Sequence, residues 1–141
     1  MARKYRLLVR MCGVALCLPI LMQFLNVRKL FTVVTPYRVI KPPEENWHEY
    51  IRWASRILSR KVPVLKRKKC LVASLLVYRF LLMYGYDAVA TIGCRLVNGQ
   101  VKSHAWVRLN GQSFTDKPEK SEPFVELLGF SDADMVGRNC Q

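Results

Sequence analysis

The sequence predicts an α+β domain on three observations. Apolar residues recur at helical spacing as far as Gly85, and beyond it the period changes to two. The alternating segments are separated by Asn98-Gly99 and Asn110-Gly111. Asn-Gly between alternating runs is the strongest short-range hairpin signal, because both residues tolerate the left-handed backbone of a tight turn. The chain has 141 residues, about half of them apolar, which suffices for one modest core.

Charge is unevenly placed. The net charge is +13, yet residues 71–141 are neutral, with seven basic and seven acidic side chains. Residues 1–70 carry sixteen Lys and Arg against Glu44, Glu45 and Glu49, so the whole excess lies there. Such asymmetry implies an acidic partner surface or anionic lipid. Nucleic acid is disfavoured, because no RNA-binding signature with interleaved aromatics and no zinc-finger spacing is present. The five cysteines, at 12, 17, 70, 94 and 140, are odd in number and irregular in spacing. That is a poor disulfide framework and points to a reducing, cytoplasmic compartment. With no CxxC pair, and with His48 and His104 in different kinds of segment, no metal site is expected. No residue pattern calls for a cofactor.

The N-terminus places basic residues before an apolar stretch, Met11 to Val27, closed by Arg28 and Lys29. Its seventeen residues include Pro19, Gln23 and Asn26, short of the roughly 20 apolar residues of a membrane span. No small-residue cleavage site marks it as a signal peptide. The favoured reading is a helix bent at Pro19 that packs on the domain or lies on a membrane surface. Pro36, Pro42 and Pro43 mark a linker. Pro43, Glu44 and Glu45 then suit the start of a helix. Trp47, Tyr50, Ile51, Ala54, Ile57 and Leu58 give it one apolar face, and Pro63 ends it.

The next helix is expected from about Cys70 to Tyr84, with Gly85 as its left-handed cap. Leu71, Leu75, Tyr78 and Leu82 form one stripe, widened by Val72, Leu76 and Phe80, so burial on most sides follows. Strands are expected at "AVATIGCRLV", "QVKSHAWVRL" and "QSFT". The C-terminal segment has room for one short helix before a loose tail. The chain thus divides into an apolar, basic N-terminal helical segment and linker (1–41), a core (42–120) and a tail (121–141).

Cys70 follows Lys66, Arg67, Lys68 and Lys69 and opens an apolar helix. The thiolate is the nucleophilic form, and both a helix N-terminus and nearby cations favour it. A neutral imidazole can take the thiol proton and later give it to a leaving amine. It needs an acceptor to orient it. His104 lies on the second strand and Asp116 on the third. A two-residue Asn110-Gly111 loop pairs Leu109 with Gln112 and points His104 and Asp116 to opposite faces. A three-residue loop, Leu109-Asn110-Gly111, pairs Arg108 with Gln112 and sets His104 opposite Asp116, with Gly111 in the left-handed bulge position. A triad built on this hairpin requires the second register. The competing readings are a plain structural histidine and a turn aspartate.

"CLVASLLVYRFLLMYGYDAVATIGCRL" followed by "HAWVRLNG" resembles the transglutaminase-like cysteine peptidases of lasso-peptide biosynthesis, the microcin-processing protein family. The matching residues are Cys70-Leu71, Ser74-Leu75, Gly85, Ala88, Gly93, His104-Ala105-Trp106-Val107 and Asn110-Gly111, over about residues 40–118. The resemblance implies a papain/transglutaminase-like core whose nucleophile starts a helix beside a small antiparallel sheet. It implies Cys70 as nucleophile, His104 as general base and acid, and Asp116 as the residue orienting His104. It also implies removal of the leader from a ribosomally made precursor peptide through a thioester. The implied partners are that precursor, a leader-recognition protein, here separate because no room precedes the first helix, and an ATP-dependent macrolactam synthetase. Relatives often carry an acid where Arg108 stands, which bears on local contacts rather than on chemistry. Transglutaminase-like amide transfer by the same three residues, or a non-catalytic module binding an acidic leader, remain the alternatives.

Overall fold

Helix α4 (Lys69–Met83) is the axis of the fold. It is apolar nearly all round, and Val72, Leu75, Leu76, Val77, Tyr78, Phe80, Leu81 and Leu82 are all buried. A helix of this kind must be enclosed by other elements. The computed structural model describes residues 2–36, 46–61, 69–115 and 124–131. Three further helices and a four-stranded antiparallel sheet surround α4. The expected α+β architecture is therefore present, with the helices first and the sheet after.

Helix α1 (Ala2–Phe24) runs through Pro19 and buries Leu7, Met11, Ala15 and Leu18, which recur at helical spacing. That stripe packs on α4 and on a third helix, α3 (Trp47–Lys61). The helix begins nine residues before the apolar stretch visible in sequence. It contains an 18-residue window of mean hydropathy 2.0, so by length and composition it is long enough to cross a membrane. The stretch Met11–Val27 alone is too short for a span, and residues 2–10 supply the added length. Its outward side exposes Tyr5, Val9, Leu16, Ile20 and Phe24.

Helix α2 (Val27–Val34), which periodicity did not reveal, starts where the Asn26 side chain accepts the Lys29 N–H at 2.9 Å. An Asn cap of this kind satisfies one orphan amide of the first turn. Phe31 stacks on Phe130 with ring centres 4.2 Å apart and meets Tyr78 edge-on. Helix α3 (Trp47–Lys61) buries Trp47, Ile51 and Ala54. The expected helix start at Pro43–Glu45 lies outside the described residues, as does the run Lys66, Arg67, Lys68.

Gly85, at φ 76°, ends α4 as expected. The Tyr86 N–H donates to the Leu81 carbonyl at 3.0 Å and the Gly85 N–H to the Leu82 carbonyl at 2.9 Å. These paired bonds form a Schellman motif, which satisfies carbonyls the helix would otherwise leave unpaired. The chain then enters β1 (Ala88–Val97) and β2 (Gln100–Leu109), within the bounds the alternation predicts. Ala88 and Ala90 of β1, with Val107 of β2, belong to the core beneath the sheet, and Ile92 and Leu109 pack against it.

Two elements differ from expectation. Residues Val125–Phe130, read as a tail with room for a short helix, form strand β4, which pairs antiparallel with β1. Phe130 enters the core against Phe31. The pattern "VELLGF" is too short to distinguish strand from helix by period alone. Tertiary pairing decides it. The second hairpin uses the two-residue turn: Leu109 pairs with Gln112 and Arg108 with Ser113. Asn110 and Gly111 both take positive φ, 50° and 78°, the requirement of a type I′ turn. Gly111 is left-handed as expected, but the three-residue loop is not formed. The sheet order is β3-β2-β1-β4, with β3 only Gln112–Ser113.

Candidate active site

Cys70 is the second residue of α4. Its thiol is half-buried, and its pKa is held below the ordinary thiol value. The first cause is a hydrogen bond with the His104 side chain. Burial works against it and pushes the thiol up. The Ala105 N–H, the charge of His104 and the Leu71 N–H each favour the thiolate again. Hydrogen bonds to the charged form and an adjacent cation are what activate a cysteine nucleophile.

The Ala105 amide explains how the site is built. Along β2 the amides alternate between the two neighbouring strands. The Val107 carbonyl accepts from the Phe114 N–H at 2.8 Å, so the odd-numbered residues of β2 point towards the β3 side. Ala105 lies two residues beyond Val107 on the same edge. There β3 has already ended at Ser113, and the Cys70 sulfur takes the amide instead. A third strand extended past Thr115, as the triad register required, would compete with Cys70 for that edge.

Thr115 closes the short ladder. Its Oγ1 accepts from the Val107 N–H at 2.8 Å, where the Phe114 carbonyl would stand in a continuing strand. Its own N–H approaches the Val107 carbonyl at 3.4 Å. Two successive amides on one carbonyl is the mark of a bulge, which bends the strand and disrupts the ladder locally.

His104 is flanked by rings. Trp106, on the same face two residues along β2, lies nearly parallel at 6.1 Å, and Phe124 at 5.3 Å. Trp106 in turn reaches over Gly93, the β1 partner of His104. The opposite strand must be glycine at this point, because a Cβ there would stand 2.8 Å from the Trp106 ring and 2.7 Å from the Val125 carbonyl. The β4 ladder shifts register between Ile92 and Gly93, which brings that carbonyl close. Arg108, on the same face, pairs with Glu126 of β4.

The structure thus brings together Cys70 and His104, two of the three residues singled out in sequence. Asp116 lies outside the described residues, and the hairpin register that would have set it opposite His104 is not the one formed. The sequence reading missed Ala105, Leu71, Thr115 and Phe124. Ala105 could have been found, since it follows the histidine directly. Phe124 carries no sequence signal. Cys12, Cys17 and Cys94 are free thiols, and Cys140 lies outside the described residues.

A half-buried thiol with its pKa held down, at a helix N-terminus facing a strand histidine on an α+β frame, is an arrangement suited to acyl transfer. The chain belongs to the transglutaminase-like superfamily, whose family model matches residues 8–129. That superfamily includes cysteine peptidases. No curated protein and no solved structure matches the chain.

Proposed function

We propose that the protein is a cysteine endopeptidase that removes the leader from a ribosomally synthesised precursor during lasso-peptide maturation. The observation that carries this reading is the half-buried Cys70 thiol at the N-terminus of α4, beside the His104 side chain that holds its pKa below the ordinary thiol value. In the reaction, the Cys70 sulfur attacks the carbonyl after the last leader residue, giving a tetrahedral oxyanion. The Cys70 N–H, in the first turn of α4, is the proposed donor to that oxygen. The C–N bond then breaks, and His104 gives its proton to the departing amine of the core peptide. The remaining acyl group is a thioester on Cys70. His104 next takes a proton from water as the oxygen attacks the thioester. The leader leaves as a carboxylic acid, and the thiolate returns. Asp116 is assigned to orient His104 on the family resemblance alone, and not as its cross-strand partner, since the two-residue turn does not set the two opposite.

The partners in this reading are the precursor, a separate leader-recognition protein and an ATP-dependent macrolactam synthetase, which consumes the freed amine. It places the enzyme in the cytoplasm, with α1 at or near a membrane surface. The test is to look for a short precursor and a recognition protein encoded beside it, mix them with the purified protein, and follow the masses. A freed leader with wild type, and none with Cys70→Ala, is expected. Cleavage retained by Cys70→Ala would remove the cysteine mechanism, and an amine-transfer product would reassign it to amide transfer. Asp116→Asn is expected to lower kcat more than it raises KM, as an orienting residue should.

A further inference from the structure

A cleft of about 410 Å³ opens beside Cys70, between α3, the start of α4 and Thr115. Its floor is made of small side chains, Ser55, Ser59 and Ala73. The two serine hydroxyls are already used, donating to the carbonyls of Arg52 at 2.9 Å and Arg56 at 3.1 Å. The floor therefore offers room rather than polar contacts. The walls carry Arg52, Arg56, Arg60 and Lys69, and no acidic side chain among the described residues lines the cleft. Arg52 is engaged, by Glu49 at 2.6 Å and over the Phe114 ring. Arg56 has an interaction of its own as well, and Arg56, Arg60 and Lys69 are all exposed.

The arginines stand at i, i+4 and i+8 on α3. Like charges at that spacing weaken a helix rather than support it. They also line one face over about 12 Å of helix, leading to the N-terminus of α4, whose dipole adds positive potential. An isolated basic run is usually a solvated surface. Here the cations wall a concave site that ends on the nucleophile, where low-dielectric walls focus the field.

We infer that this cleft binds an acidic peptide segment, placing Asp or Glu side chains of the substrate along α3 while the scissile carbonyl meets Cys70. The inference rests on the peptidase reading of the site and names the substrate class for it. It assigns Arg56, Arg60 and Lys69 as residues that select the substrate by charge.

The test reads Cys70 alone, by mass spectrometry of its peptide after timed alkylation of the full chain. Iodoacetate and iodoacetamide consume the same thiolate and differ in charge. Their rate ratio at Cys70, divided by the same ratio for N-acetylcysteine, is expected to be on the order of tenfold above one at low ionic strength. It should fall towards one at high salt and in the Arg56→Gln/Arg60→Gln/Lys69→Gln variant. N-acetyl-hexaglutamate should protect Cys70 from iodoacetamide, and N-acetyl-hexaglutamine should not. A normalised ratio of one in wild type, or equal protection by both peptides, would overturn the inference. So would equal protection by a thymidine hexanucleotide, which would make the cleft a general polyanion site. Failure of the peptidase reading shows separately, as a Cys70 that iodoacetamide modifies no faster than N-acetylcysteine at neutral pH.

Discussion

Gly93→Ala tests how the sheet holds His104. The added Cβ would stand 2.7 Å from the Val125 carbonyl oxygen and 2.8 and 3.1 Å from two carbons of the Trp106 ring. Ordinary contacts begin near 3.4 Å, so β4 and the indole must each retreat by several tenths of an ångström. The oxygen belongs to the backbone of a paired strand, and Trp106 is 6% exposed, so neither moves freely. Overpacking of this kind costs about 1–3 kcal/mol, which lowers Tm by roughly 3–15 °C for a domain of this size. Because Trp106 lies along His104, the shift is transmitted to the imidazole, and a misplacement of about 1 Å can cost 10²-fold in rate. The assay pairs thermal unfolding by circular dichroism with alkylation of Cys70 across pH. Gly129→Ala is the control. It lies in the same sheet, and its Cβ would meet nothing within 4 Å, so it should be neutral or slightly stabilising. The reasoning is refuted if Gly93→Ala matches Gly129→Ala in both stability and Cys70 reactivity.

Two further predictions follow from the same geometry. His104→Ala removes the largest influence lowering the Cys70 pKa. The thiolate fraction at neutral pH should fall, and the midpoint of the alkylation profile should move to higher pH; an unmoved midpoint would show that the helix N-terminus and the two amides suffice. Leu18, fully buried on the inner stripe of α1, and Ile20, 60% exposed on the outer side, should separate packing from surface roles. Leu18→Asp should cost several kcal/mol by stranding a charge in the core, whereas Ile20→Asp should leave Tm within about 2–4 °C of wild type. Equal yields and equal Tm values for the two would show that α1 is not part of the folded core.

Much of the frame was legible in the sequence because its signals are local. The bounds of β1 and β2 follow from alternation between two Asn-Gly turns, whose residues accept positive φ wherever they fall. The end of α4 follows from Gly85 for the same reason. Its burial follows from an apolar surface too wide for a half-exposed helix. Cys70 at a helix start and His104 on a strand were both readable, since each depends only on its own segment.

What the tertiary structure alone decided is where segments distant in the chain compete for the same edge. Asn110-Gly111 suits a two-residue turn and a three-residue loop alike, so local chemistry could not choose the register of β3. The edge of β2 beside Ala105 is met by Cys70 from α4, 35 residues earlier in the sequence, and β3 ends at Ser113 before reaching it. Likewise "VELLGF" has no strand signal strong enough by itself, and becomes β4 because β1 offers an unpaired edge and Phe31 a ring for Phe130 to stack on. A residue's own segment determines its backbone preference, but the partner of a sheet edge is set by whichever group the fold brings there first, and that information is spread over the whole chain.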